Sequence, residues 1–429
     1  MTAKPKVLIY TDCFIYGGSE RLMVFLLKNK KLNDEFDFML AFRNHKEYFR
    51  SLSHDIKNLK IDVTLYPLFA LSNATFFNKL NRSSLPIVIR NIIKIPFFLL
   101  EKTGLYFAVN FLLFTIFIRK IRPQIIHVNN GGYPGAPSCN QFVAAAKACG
   151  VNAIVYQVNN IAFSTTNPFS LLYDRFINKR VKYFITASVK AGNALVEKRK
   201  FSKEKIVQIP NTVFTEKVTK TRIDILEELQ WQEDSFIIVQ VAFLTARKGQ
   251  INLIKAVERL RFGNSSDLSN KIKLILVGNG EDEQMLRQFV FEKGLSDVVC
   301  FAGYRLDSVN YINACDIFAL PSIANEDMPL SLLTAMSYGK PVLATRFAGI
   351  AEVITDKENG LLLDPISETI VEKIRASITE LYTKPDMRIN LACNAKKTFY
   401  EQFSEDIYAQ RLSNLYACSS MIKSKQFNN

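Results

Sequence analysis

Short apolar runs of strand length alternate with helical patterns along the whole chain, and this alternation limits the fold more than any other feature. It calls for parallel sheets covered by helices. The first series of strands reads Lys6–Tyr10, Phe36–Phe42, Ile61–Tyr66, Gln124–Val128, Ala153–Gln157 and Tyr183–Ala187. After Pro210-Asn211-Thr212-Val213 the chain turns polar over 214–222, which reads as a linker. A second series follows: Phe236–Ala242, Lys273–Val277, Val299–Phe301, Ile317–Leu320, Pro341–Ala344 and Gly360–Leu363. Residues 386–424 read as one or more helices. No repeat of roughly 20–50 residues is visible, which excludes a solenoid. The expected organisation is therefore a first domain over 1–213, a linker over 214–222, a second domain over 223–385, and C-terminal helices over 386–429 that pack back toward the first domain. Two doubly wound domains place their ligand crevices at the carboxyl ends of their sheets, facing the cleft between them.

The chain has 429 residues, 48% hydrophobic and 22% charged, so it is not a disordered protein. A balance of 55 Lys+Arg against 40 Asp+Glu, a formal net charge of +15, points to an anionic partner: nucleic acid, an acidic membrane surface or a phosphorylated small molecule. Part of the excess is local. Between Leu71 and Arg122 stand eight basic residues (Lys79, Arg82, Arg90, Lys94, Lys102, Arg119, Lys120, Arg122) and one acid, Glu101, interleaved with aliphatic and aromatic side chains. That mixture suits a membrane surface and matches no nucleic-acid motif. The longest apolar stretch, Leu105 to Ile118, is broken only by Asn110 and Thr115. As a helix it covers about 21 Å, short of a bilayer, so a core or interfacial helix is expected. The seven cysteines include no C-x-x-C pair and read as reduced thiols. Met1–Lys6 lead straight into Val7-Leu8-Ile9-Tyr10 without a signal-peptide pattern, so a cytoplasmic protein is expected.

Three stretches carry chemistry. Tyr10 to Arg21 leads from the first strand through Gly17-Gly18 into a helix near Ser19, and adjacent glycines there let backbone N–H groups approach an anion. Phe243-Leu244-Thr245-Ala246-Arg247-Lys248-Gly249-Gln250 repeats the arrangement after the first strand of the second series, with two cations beside the turn. Leu320 to Pro341 runs from a strand end through Glu326 to a helix whose expected first residue is Pro329. Amides at Leu330 and Ser331 beside a carboxylate suit a ligand carrying both sugar and pyrophosphate, although acids ahead of a helix also serve its dipole. His127 ends a strand and could be a ligand contact or a satisfied core histidine. His45 and His54 lie in polar surroundings and suggest nothing.

Together these stretches resemble the GT-B glycosyltransferases, in particular the retaining family 4 that uses nucleotide-sugar donors. The resemblance covers the chain and rests on the order of its motifs. Gly-Gly-x-Glu comes after strand one, then Pro-Asn at the interdomain crossing and a Lys-Gly turn. Val277-Gly278-Asn279-Gly280, Phe301-Ala302-Gly303-Tyr304, Ala314-Cys315-Asp316, Pro321-Ser322, the Glu326 loop and Glu358-Asn359-Gly360-Leu361 complete the series. The resemblance implies an α/β GT-B fold, with two Rossmann-like domains facing across a cleft. It implies Lys248 and Glu326 as catalytic residues, Lys248 on the diphosphate and Glu326 on hydroxyls of the transferred sugar. It also implies donor contacts from Gly17, Gly18, Arg247, Gly278, Tyr304, Arg305, Met328, Pro329, Leu330, Ser331 and Thr334. His127 and Asn159 fall on the acceptor side. No metal or cofactor is expected beyond the nucleotide-sugar co-substrate. Expected partners are that donor, a lipid-linked or saccharide acceptor and a membrane surface.

Three positions depart from the family's pattern. Thr334 stands where a second Glu usually contacts the ribose, Phe243 where an Arg often precedes the Lys, and Asn159 near the place of a His. The sequence therefore supports a retaining hexosyltransferase at the inner face of a bacterial membrane, in capsule or lipopolysaccharide assembly. Its rivals are an inactive GT-B partner protein and a nucleotide-sugar epimerase.

Overall fold

The computed structural model describes residues 3–13, 16–81, 83–263, 267–324, 326–365 and 368–420. Phe14, Ile15, Arg82 and Asn325, which belong to stretches singled out above, lie outside the described residues. The chain divides into two compact units, one of residues 1–209 with 409–429, the other of residues 210–408.

Among the described residues the first unit holds seven parallel strands: β1 (Lys6–Thr11), β2 (Asp37–Arg43), β3 (Thr64–Leu68), β4 (Ile125–Asn130), β5 (Ala153–Val158), β6 (Tyr183–Thr186) and β7 (Ile206–Gln208). Their order is β3-β2-β1-β4-β5-β6-β7, so the winding reverses between β1 and β4. β4 and β5 are buried along their whole length, as strands covered by helices on both faces must be. Tyr10 stacks on Phe142 at 4.1 Å and meets the edge of Phe114 at 5.4 Å, which ties the sheet to two covering helices.

The second unit holds β8 (Phe236–Val241), β9 (Ile272–Val277), β10 (Val299–Gly303), β11 (Ile317–Leu320), β12 (Val342–Thr345) and β13 (Leu361–Leu363). All pair in parallel, in the order β10-β9-β8-β11-β12-β13, with the reversal between β8 and β11. Inward-facing Ile238, Leu274, Ile317 and Leu343 form its core with the helices Gln250–Arg261 and Ile370–Thr383.

The structure differs from the sequence expectations in four places. The third strand begins at Thr64 rather than Ile61, because Ile61 N–H closes the preceding helix on Ile56 C=O at 3.0 Å, behind a left-handed Lys60 at φ 53°. β7 is an unforeseen edge strand, too short to show a pattern of its own. Pro329 caps the helix Leu330–Ser337 from outside instead of opening it. Only part of the C-terminal segment returns to the first unit. Pro385–Thr398 stays with the second unit, where Leu391 joins the core, and residues from Ala409 onward belong to the first.

The last helix, Glu405–Ser420, is held to the first unit by Tyr416 against Phe36 and His127, and by Ser413 on Glu35. Lys182 Nζ also donates to the carbonyls of Cys418 and Ser419 at 3.0 Å each. No single described helix is long and apolar enough to cross a membrane. The pair Ile87–Leu100 and Leu105–Ile121, bent by 56°, passes on length and composition only when taken together.

Candidate functional site

In the second unit the reversal between β8 and β11 fixes where a ligand crevice must lie, since the loops leaving those two strands diverge there. These are the loops that carry Lys248 and Glu326. After β8 the chain makes a short 3-10 turn, Ala246–Lys248, and enters the helix Gln250–Arg261 through Gly249. Gly249 sits at φ 69°, and a Cβ there would lie 2.0 Å from Pro321 C=O, so only glycine lets the two loops touch. The contact is reinforced by Ile323 N–H donating to Arg247 C=O at 2.8 Å. Gln240, a polar residue in the otherwise apolar β8, donates from Nε2 to Lys248 C=O at 2.9 Å. The backbone on either side of Lys248 is thus fixed by both loops.

Three donors then converge on one carboxylate oxygen. Lys248 Nζ pairs directly with Glu326 Oε2, Arg247 Nη1 approaches the same oxygen at 3.7 Å, and Ser322 Oγ donates to it at 3.3 Å. Lys248 and Glu326 are both nearly buried. Burial lowers the pKa of the Lys248 ammonium from the usual lysine value, against the opposing pull of Glu326. Ser322 is itself pinned through its carbonyl by Thr345 Oγ1. The cluster holds two cations for one anion, so it retains a positive excess at the mouth of the crevice.

The remaining residues expected on the donor side divide by what they touch. Met328 is buried, and its carbonyl accepts from Asn211 Nδ2 at 2.8 Å, which sets the approach to Pro329 and the helix Leu330–Ser337. Leu330 and Ser331 are half-buried in the first turn of that helix, whose leading amides have no intrahelical acceptor. Thr334 Oγ1 donates back to Leu330 C=O at 2.9 Å, so its proton is spent inside the helix. Gly278, at φ 143°, lies where a Cβ would be 2.0 Å from Ala242 C=O, so it joins the ends of β8 and β9. Tyr304 is exposed. Arg305 bonds Glu228 Oε1 at 3.1 Å and Ala302 C=O at 3.1 Å. Phe243 is 37% exposed, and its carbonyl accepts from Gln250 Nε2.

In the first unit Gly17 and Gly18 stand at the start of the helix Gly18–Lys28. The Gly17 amide is taken by the Glu20 carboxylate at 3.3 Å, and Ser19 Oγ donates to the same oxygen at 2.7 Å. Burial raises the pKa of Glu20 above the usual carboxylate value. Any anion at this loop is thereby left to the amides that follow Gly17. Beside it lies a pair that the sequence motifs did not single out. Arg43 ends β2, Asp12 follows β1, and their side chains meet at 2.8 Å, nearly buried, with Ser138 Oγ on the same carboxylate. The parallel register Thr11↔Phe42 puts these two residues side by side, which was the available signal.

Of the two alternatives open for His127, the structure shows the satisfied core histidine, in one hydrogen-bonded network with Asn159. His127 is buried and both ring nitrogens are bonded within the protein, Nδ1 to Tyr416 Oη at 2.6 Å and Nε2 to Gln157 Oε1 at 3.0 Å. Gln157 Nε2 donates to Asn159 Oδ1 at 2.9 Å, and Asn159 Nδ2 donates to Asn129 Oδ1 at 2.8 Å and to Asn130 C=O at 2.9 Å. His127 therefore orients Asn159 at the carboxyl ends of β4 and β5 instead of facing a ligand itself. Among the described residues no group of three His, Cys, Asp or Glu side chains could hold a metal ion.

Comparison with known proteins agrees with this architecture. Residues 221–398 match the family described as Glycosyl transferases group 1. Over 178 residues the chain is 29% identical to the lipopolysaccharide core biosynthesis glycosyltransferase LpsD of Rhizobium meliloti, a match covering 42% of this chain and 48% of that protein. Over 229 residues it is 27% identical to UDP-Gal:alpha-D-GlcNAc-diphosphoundecaprenol alpha-1,3-galactosyltransferase of Escherichia coli, covering 51% and 58%. The chain spans about half the length of the first curated relatives it matches. The crystal structure of Anabaena Alr3699/HepE in complex with UDP superposes with a TM-score of 0.72 at 18% identity, over 96% of this chain and 100% of that one. The shared fold is that of the GT-B glycosyltransferases.

Proposed function

Because residues 221–398 are a glycosyl transferases group 1 domain in a chain of GT-B fold, we propose that the protein is a retaining glycosyltransferase. It moves a hexose-type sugar from a nucleotide-sugar donor to a membrane-lipid-linked saccharide, in the assembly of a bacterial surface polysaccharide. The convergence of Lys248, Arg247 and Ser322 on Glu326 at the β8/β11 reversal carries this reading. A donor diphosphate is a stronger anion than one carboxylate, so it draws Lys248 and Arg247 onto itself. Glu326 is then released to accept hydrogen bonds from hydroxyls of the transferred sugar. The leading amides at Leu330 and Ser331 add partial positive charge where the leaving diphosphate gains negative charge.

The bond from the anomeric carbon to the diphosphate oxygen breaks as the acceptor oxygen bonds the same face, and the departing oxygen takes the acceptor's proton. No side chain acts as nucleophile, and these cations and amides do the work a metal would do elsewhere. The names of the relatives support the setting, since one is a lipopolysaccharide core enzyme and another has diphosphoundecaprenol in its acceptor. Attachment to the inner face of the membrane as a peripheral protein follows from such an acceptor.

Incubating the protein and a membrane lipid extract with a panel of nucleotide sugars, then weighing products by mass spectrometry, tests the proposal. A product shifted by one hexose that Lys248→Ala fails to form supports it, whereas equal turnover in that variant removes the site. A second reading, an inactive partner protein, is favoured by the Thr334 hydroxyl turned into its own helix and by Arg305 engaged with Glu228. Calorimetric titration with nucleoside diphosphates separates the two, because only the transferase binds one.

A further inference from the structure

The helix Ile87–Lys102 is built inside out. None of its described side chains is buried, and Ile87, Val88, Ile92, Ile95 and Leu99 are all more than half exposed. Its two described cations point the other way. Arg90 Nη1 donates to Asn81 C=O at 2.5 Å and Lys94 Nζ to Asn81 Oδ1 at 2.6 Å, so both are held on the end of the preceding helix, Ala74–Asn81. Phe97 packs on the same side, its ring 4.6 Å from that of Phe76. A water-facing helix would show the reverse arrangement.

The next helix, Leu105–Ile121, continues the bare face. Phe114 and Ile118 lie in the core of the first unit, and Asn110 is locked there by Leu71 N–H at 2.7 Å and Gln141 Oε1 at 2.7 Å. The opposite side shows Leu105, Ala108, Leu112 and Ile116 one turn apart, then exposed Arg119 and Lys120, with exposed Arg122 just beyond the helix.

We infer that this bent pair is a wedge that embeds in one leaflet of an anionic bilayer. Leu105 to Ile116 spans about 16 Å of helix, close to half of a hydrocarbon core about 30 Å thick. The 56° bend prevents the two helices from forming one straight span. Backbone groups inside helices carry their own hydrogen bonds, so insertion leaves none unpaired. Arg119, Lys120 and Arg122 follow the apolar stripe at the depth where lipid phosphates begin, and the sequence between residues 83 and 122 carries one acid, Glu101, on the other helix of the pair. A second copy of the chain would bring the same cations to the patch, and like charges would meet around its edge. The inference deepens the lipid-linked acceptor reading and rests on it for its purpose, but vesicle binding without donor or acceptor reads the surface alone.

The chain has one tryptophan, which simplifies the test. In a Trp231→Phe background, Leu112→Trp should blue-shift on adding phosphatidylglycerol/phosphatidylcholine vesicles, and lipids brominated along the acyl chain should quench it. Binding should largely survive high salt. Ile92→Glu with Leu112→Glu should weaken it about tenfold or more, whereas Arg119→Glu with Lys120→Glu should weaken it mainly at low salt on the anionic vesicles. All four side chains are exposed, and circular dichroism confirms that the variants fold. Two outcomes overturn the wedge: an indole quenched only by an aqueous quencher with vesicles present, or a blue shift that follows protein concentration without lipid, which identifies a second copy as the occupant. Loss of transfer with vesicle binding intact would count against the acceptor reading and leave the wedge standing.

Discussion

Tyr416 Oη lies 2.6 Å from Nδ1 of His127, so a residue of the last described helix sets the tautomer of a histidine in the middle of β4. With the Tyr416 hydroxyl donating to Nδ1, the imidazole carries its proton on Nε2 and donates to Gln157, which donates to Asn159, which donates to Asn129. Every member of the chain gives its proton in the same direction. Burial in this network holds the His127 pKa at about 4, down from 6.5, against the hydrogen bond of Gln157.

This depression makes stability depend on pH. Between the two values the unfolded chain binds a proton that the folded chain refuses. The contribution is complete above about pH 6.5 and is lost as pH falls toward 4, amounting to about 3 kcal/mol. Urea unfolding across that interval should show the decline, and His127→Gln should flatten it. Tyr416→Phe, which leaves Nδ1 without its donor, should cost about 1–3 kcal/mol at neutral pH. A slope unchanged in His127→Gln would show that other groups govern it.

Lys248 and Glu326 should be coupled in stability and in catalysis. Removing one partner strands the other as a buried charge, so Lys248→Ala or Glu326→Gln alone should lose about 3–5 kcal/mol. Lys248→Met combined with Glu326→Gln should lose less than the sum of the single changes, as a double-mutant cycle in urea will measure. Each single variant that still folds should lose about 10²–10³ in turnover.

Gly249→Ala should disable the site from a position that touches no ligand. The new methyl would enter the Pro321 carbonyl, and φ 69° strains any residue with a Cβ. The loops must part, which takes Arg247 and Lys248 away from Glu326. We expect nucleoside diphosphate affinity, read by calorimetry, to fall more than global stability does. Equal losses in both would mean that the loop contact has no part in shaping the site.

Thr334→Glu should strengthen nucleotide binding. The native hydroxyl spends its proton on Leu330 C=O and offers a ribose diol only a neutral acceptor. A carboxylate in the first turns of the helix would accept charge-assisted bonds and should improve affinity about tenfold. No gain with any nucleoside diphosphate would place the ribose elsewhere.

Much of this arrangement could be read from the chain alone, and what escaped shares a physical cause. Lys248 and Glu326 are legible because each follows a strand directly and the strand order sends both loops to one reversal. His127 was singled out, while Gln240 and Gln157 went unremarked although they too are polar residues inside runs such as Phe-Ile-Ile-Val-Gln-Val, where an apolar strand has no use for them. Their partners were not visible. Tyr416 is 289 residues from His127, and Arg43 meets Asp12 only once β1 and β2 align. β7 is three residues long and pairs only because β6 lies next to it. Periodicity reports what a segment buries, and it is silent on which distant group completes a hydrogen bond.

The first unit is made of two separated pieces of chain, and this bears on the order in which the protein can be made. A ribosome releases residues 1–209 well before the segment beginning at Ala409 exists. At roughly 5–20 residues per second, the intervening stretch of about 200 residues takes on the order of 10–40 s. During that wait Phe36 and Phe38 lack the tyrosine that covers them, and His127 lacks its donor. A nascent chain stalled before residue 409 should therefore be open to proteases and chaperones at β2 and β4, and closure should come with the last helix. The protein completes its first half only by finishing its second.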